Sequence, residues 1–157
     1  MDIKPCASLH FSSYNVQSSN GRSLTFPNID FKKLLDYQYD KYKTFKMVFN
    51  GFYNIFSVNT PATQRIVNVQ MTGLDFFNCY DYSNGQRKVA NFGTVMVDRQ
   101  NNSAITLTSA ISGVMFNKPQ AKVDITITLY DALTNTSTNA NYQSLLYSFS
   151  IYGIEKE

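Results

Sequence analysis

The sequence predicts an all-β domain, either a two-sheet sandwich or a barrel, and three observations carry that reading. Residues 122–131 (KVDITITLYD) alternate Val123, Ile125, Ile127 and Leu129 with Asp124, Thr126, Thr128 and Tyr130. That two-residue period, with β-branched residues on one side, belongs to a strand with one buried face. Phe and Tyr make up 15% of the chain, with no Trp, and such rings favour half-buried pleated surfaces. No long stripe of apolar residues at helical spacing occurs anywhere.

The elements follow in chain order. A strand is expected near residues 7–15. Residues 30–42 (DFKKLLDYQYDKY) predict one short helical turn with Asp30 as its N-cap, because an Asp side chain can accept from the free N–H groups of a first turn. Residues 43–56 form a long aromatic strand with Phe45, Met47, Phe49, Tyr53 and Ile55 on one side. Gly51 inside it predicts a bulge or bend. Residues 65–72 place Val67, Val69 and Met71 opposite Asn68, Gln70 and Thr72. Asn84-Gly85 is a strong local hairpin signal, and it predicts that residues 75–82 pair with 87–98. Further strands are expected near 104–109 and 112–117, with Pro119 breaking the chain before 122–131. Residues 145–154 set Tyr147, Phe149 and Ile151 against Ser148, Ser150 and Tyr152. About eight short strands joined by Asn, Gly and Pro turns mean a sandwich or a barrel.

The 157 residues suit one domain spanning 1–157, and no repeat or linker divides them. Charged residues are 16% of the chain, against about a quarter in ordinary globular proteins. A weakly charged surface is prone to association, so partners are expected to cover much of it. The net charge of +3 is mild. Lys32, Lys33, Lys41, Lys43 and Lys46 cluster locally, but Asp30, Asp36 and Asp40 interrupt them, and a nucleic-acid face needs a denser basic stripe. No specific nucleic-acid partner is expected.

Cys6 and Cys79 lack the spacing of a metal site or a disulfide framework and are read as free thiols. The first residues contain no signal-like apolar run, and no run approaches the roughly 18 apolar residues of a membrane helix. A reducing compartment is expected. The Asn101-Asn102-Ser103 and Asn135-Thr136-Ser137 triplets are then read as chance glycosylation matches.

Residues for catalysis are scarce. His10 is the one histidine and is read as an ordinary strand residue. The two glutamates, Glu155 and Glu157, lie in the last three residues, and Asp75, Asp81 and Asp124 read as turn or strand-face residues. Phosphate-binding glycine loops, calcium loops and nucleophile elbows are missing from the sequence. The expectation is a non-enzyme with no catalytic, cofactor-binding or metal-ligating residues and no cofactor.

Several segments carry a family resemblance. They are DKYKTFKMVFNGFYNIF (40–56), VNVQMTGLDFFNCYDYSNGQ (67–86), MFNKPQAKVDITITLYD (115–131) and YSFSIYGIEKE (147–157). The KY…F…F strand, the V-x-M-x-GLDF-x-N-x-Y stretch, the F-x-KP approach and the closing F-x-IYGIE resemble small minor capsid proteins of nucleocytoplasmic large DNA viruses and related polinton-like viruses. The likeness covers roughly residues 40–157. It implies a single jelly roll of two facing four-stranded antiparallel sheets, with residues 1–30 in part an extended N-terminal arm. It also implies a virion structural protein assembled in the host cell cytoplasm. Such a protein serves as a penton or cements capsomers. Its partners are other capsid proteins, including a double jelly-roll major capsid protein, and further copies of itself, five in a penton. The alternative reading is a receptor- or glycan-binding β-sandwich head, since Tyr-rich loops also suit sugars.

Overall fold

The computed structural model describes residues 2–12, 18–19, 23–56, 64–77, 89–98, 107–110, 113–131 and 142–155. In chain order the strands are β1 (Asp2–Ser12), β2 (Ser18–Ser19), β3 (Ser23–Asp30), β4 (Thr44–Phe56), β5 (Gln64–Thr72), β6 (Ala90–Asp98), β7 (Leu107–Ala110), β8 (Val114–Asn117), β9 (Lys122–Asp131) and β10 (Tyr142–Glu155). Two short helices, α1 (Phe31–Leu35) and α2 (Tyr37–Lys41), lie between β3 and β4. One sheet has the order β1-β10-β4-β8 and the other β2-β3-β9-β5-β6-β7, so the all-β sandwich is observed.

Eight of these strands form nested antiparallel pairs. Ile3 of β1 faces Ile154 of β10, and Leu24 of β3 faces Ile127 of β9. Inside those, Phe45 of β4 faces Phe116 of β8, and Val67 of β5 faces Val95 of β6. Each sheet takes two of the four pairs. This is jelly-roll connectivity: one long hairpin wrapped so that its halves alternate between two sheets. Strands β2 and β7 are short additions at opposite edges of the second sheet.

Two expectations are corrected. Residues 1–30 are not an arm over their described part: β1 pairs with β10 along its length, and β3 pairs with β9. Residues 75–82 do not pair with 87–98 where both are described. Strand β6 pairs with β5 and β7, while Phe76 bridges Phe116 of the opposite sheet. The Asn84-Gly85 turn itself lies outside the described residues.

The predicted alternation builds the core. Met47, Val69, Met71, Ile125 and Phe149 are fully buried, while Asn68, Gln70, Thr126 and Ser150 lie on the outer faces. Each such apolar side chain contributes about 1.5–3 kcal/mol by leaving water. Phe116 sits among Phe45, Phe76 and Phe31, with ring centroids 5.7, 6.0 and 6.4 Å away. Phe149 gathers Phe49, Phe92 and Phe11 at 5.2, 5.2 and 5.9 Å. The bulge expected at Gly51 is present. Gly51 faces Ser148 while Phe49 faces Phe149, which leaves Asn50 as the extra residue.

The predicted helical turn is two helices broken at Asp36. Asp30 is the N-cap, its carboxylate accepting from the Lys33 N–H at 3.0 Å. Helices this short have no stability of their own. They hold because Phe31 and Leu35 are buried and because the Phe31 N–H donates to the Ala121 carbonyl at 2.7 Å. Asp36 adopts φ 54° and ψ −128°, and its side chain makes no capping bond. A non-glycine residue held there stores about 1–3 kcal/mol of strain. Asp36→Gly is therefore expected to stabilise the fold by about 1 kcal/mol after the glycine entropy penalty. A higher urea midpoint at unchanged slope checks it.

Candidate functional site

The helical end of the sandwich gathers segments far apart in the chain. Gly73 closes β5 with φ +119° and lets the backbone cross to the other sheet. The Asn117 amide then donates twice to Asp75: N–H to the carbonyl at 3.0 Å and Nδ2 to Oδ2 at 2.6 Å. The Phe77 N–H donates to the Met115 carbonyl at 2.8 Å. Lys118 N–H donates to the Lys43 carbonyl, and the Tyr39 hydroxyl to the Pro119 carbonyl, each at 2.8 Å. Gly153 lets the Tyr42 ring lie against β10, since a Cβ there would sit 2.4 Å from that ring. The GLDF, NKP, KYKTF and YGIE residues thus meet in one structural knot.

A cavity of about 450 Å3 opens beside this knot, lined by Lys41, Tyr42, Lys43, Thr44, Ile154 and Glu155. Thr44 and Ile154 are cross-strand partners on β4 and β10 and form a buried floor. Lys41 Nζ lies 3.9 Å from a Glu155 carboxylate oxygen, both side chains being largely exposed. A pair so exposed contributes under about 1 kcal/mol. A hydrogen bond to the Tyr42 side chain, first, and the Glu155 charge, to a lesser degree, hold the Lys41 ammonium above its ordinary pKa. Lys43 has no ion-pair partner among the described residues. The mouth therefore carries two ammonium groups against one carboxylate.

The outer faces of the two sheets differ. On the six-stranded sheet, Ser23, Thr25, Asn68, Gln70, Thr72, Asn91, Thr126 and Thr128 present hydroxyl and amide groups. Some bond across strands, Ser23 to Thr128 at 2.7 Å and Thr25 to Thr126 at 3.0 Å. The four-stranded sheet presents Val48, Met115, Tyr152 and Ser150 around Lys46. The charges on these faces among the described residues include Lys46 on the four-stranded sheet and Lys122 and Asp124 on the six-stranded one.

The residues weighed for chemistry are dispersed. His10 is exposed on β1, opposite Ser148. Asp75 is bound to Asn117, and Asp124 accepts from the Asn28 N–H at 2.9 Å, holding the β3 bulge. Lys32 and Lys33 are exposed on α1, Lys46 is on a sheet face, and Lys41 and Lys43 are at the cavity. The lysines close in sequence therefore form no single stripe. Among the described residues no group of three or more His, Cys, Asp or Glu is placed to hold a metal ion. No helix among them is long and apolar enough to cross a membrane. Asp81, Cys79 and Glu157 lie outside the described residues. Sequence reading missed the cavity, because its floor exists only through the pairing of Thr44 with Ile154, 110 positions apart.

Cys6 sits at the bulge between Pro5 and Ala7, half-buried, with its thiol donating to the Lys4 carbonyl at 3.4 Å. Burial, first, pushes its pKa up, partly offset by a backbone hydrogen bond at Gly153 and by Lys41. A thiol kept protonated is a poor nucleophile. In a Cys79→Ser background, Cys6 is expected to react with a thiol-specific disulfide reagent at pH 7 about tenfold more slowly folded than in urea. Because the folded pKa is raised, the stability linked to this group is complete below the ordinary thiol range and fades as pH climbs through it.

Comparison with family models, with curated proteins and with solved structures found no match for this chain.

Proposed function

We propose that this protein is a structural virion component, a minor capsid protein that acts by packing against other shell proteins as a penton or as a capsomer cement. One observation carries the reading: a jelly roll whose outer faces, among the described residues, are mostly uncharged, with Lys46 on one and Lys122 and Asp124 on the other. The quoted segments, which resemble small capsid proteins, support it further. Weakly charged faces of this kind are shielded when neighbours cover them, and specific interfaces cover about 800 Å2 per partner. Its partners on this reading are a double jelly-roll major capsid protein and other copies of itself, joined in the host cytoplasm and retained in the virion.

Co-expression with the major capsid protein of the same genome tests the proposal. Co-sedimentation with shells, with added density at vertices or between capsomers, is the expected result. Shells that assemble without it, together with no binding to capsomers, would overturn it. The hydroxyl and amide face of the six-stranded sheet favours a second reading, a glycan- or receptor-binding head. Saturable binding on a glycan array would select that alternative.

A further inference from the structure

Tyr37 is 71% exposed, far more than Ile3 at 46% or Leu146 at 39%, the other large apolar side chains open to solvent among the described residues. It opens α2, directly after Asp36, and on a helix its near neighbours are the residues three and four positions on, Asp40 and Lys41. Asp36 and Asp40 have no ion-pair partner among the described residues. Within the same stretch of chain, Lys41 and Lys43 border the cavity over Thr44 and Ile154. A protruding ring flanked by two carboxylates therefore stands beside a hole edged by two ammonium groups. The hole offers a buried floor of Ile154 and Thr44 and a polar rim, which suits a tyrosine ring with its hydroxyl at the edge. Its volume is within the range of about 300–1,000 Å3 that holds a small organic group.

A second copy of the chain can bring a ring to the cavity and a carboxylate to Lys43 together. We propose that this end of the protein is a two-fold interface between copies of this chain. Tyr37 of each copy enters the Thr44–Ile154 cavity of the other, and Asp40 of each faces Lys43 of the other. A two-fold contact needs knob and hole on one patch, because the same surface meets itself. Here both lie between residues 36 and 44, with Ile154 and Glu155 brought in by β10. Opposed charges also set the register of approach. The inference rests on reading the chain as a packing subunit and narrows it, since two-fold pairs join capsomers whereas a penton needs a five-fold ring.

Sedimentation equilibrium of the full chain, from low to high micromolar concentration, tests it. The expected result is a reversible rise from one chain mass to two, weaker in high salt. Tyr37→Ala and Lys43→Glu should each raise the dimer Kd at least about tenfold, in line with truncating an aromatic anchor or reversing a facing charge. Asp40→Lys combined with Lys43→Glu in one chain should recover dimerisation. Circular dichroism confirms that each variant is folded, and Tyr37→Ala, at an exposed position, keeps the test open if a charge variant is not. A chain that stays monomeric throughout, a dimer indifferent to Tyr37→Ala, or a charge swap without recovery overturns the interface. A pentamer also overturns it while leaving the capsid reading standing; failure to bind shells with the dimer intact does the reverse.

Discussion

Phe116→Ala is expected to lower the unfolding free energy by about 3–5 kcal/mol, the range for deleting a buried aromatic ring. The site cannot collapse to absorb the loss. Phe116 is fully buried, and rings from α1, β4 and the crossing after β5 surround it. Its backbone is tied on one side to Phe45 and on the other to Phe76. The void would also loosen the knot at the helical end, because Asn117 and Lys118 follow directly. A urea titration read by both circular dichroism and tyrosine fluorescence checks it. A loss below about 1.5 kcal/mol, the range of mild repacking, would show that this cluster is not the centre of the core.

Gly73→Ala is expected to destabilise by about 3 kcal/mol or more, through backbone strain and a steric clash together. A Cβ at this position would lie 2.2 Å from the Asp124 carbonyl oxygen, and φ is +119°. The neighbour cannot give way, because β9 is paired on both sides, with β3 and with β5. Gly153→Ala differs in kind, since its obstacle is the side chain of Tyr42. That clash is relieved by trimming the ring, so Gly153→Ala and Tyr42→Ala should couple favourably in a double-mutant cycle, whereas no side-chain change relieves Gly73→Ala.

Strands with one wet face were legible from their residues. Alternation placed β4, β5, β9 and β10 within two or three residues of where they stand, and it sorted Tyr147, Phe149 and Ile151 correctly from Ser148 and Ser150. Asp30 was legible as a cap because capping is a local interaction. Pairings were not. Strand β1 finds its partner about 140 positions away, and nothing in DIKPCASLHFS announces that partner. The Asn-Gly signal is equally local: it marks a turn but not which sheet the approaching chain belongs to, and Gly73 had already sent residues 74–77 toward β8. The helix break at Asp36 was hidden for another reason, since tertiary burial of Phe31 and Leu35 imposes it against backbone preference.

The nesting of the pairs has a kinetic consequence. Strand β10 lies between β1 and β4, so during synthesis both wait with bare edges until residues near the end of the sequence emerge. Of the four nested pairs, β5 on β6 spans the shortest loop and is favoured to close first, while β1 on β10 spans the longest and closes last. Such non-local topology folds over milliseconds to seconds. A nascent chain stalled before Tyr142 would leave β1 unpaired and one edge of β4 open to foreign strands, a hazard for any cell producing the protein in quantity.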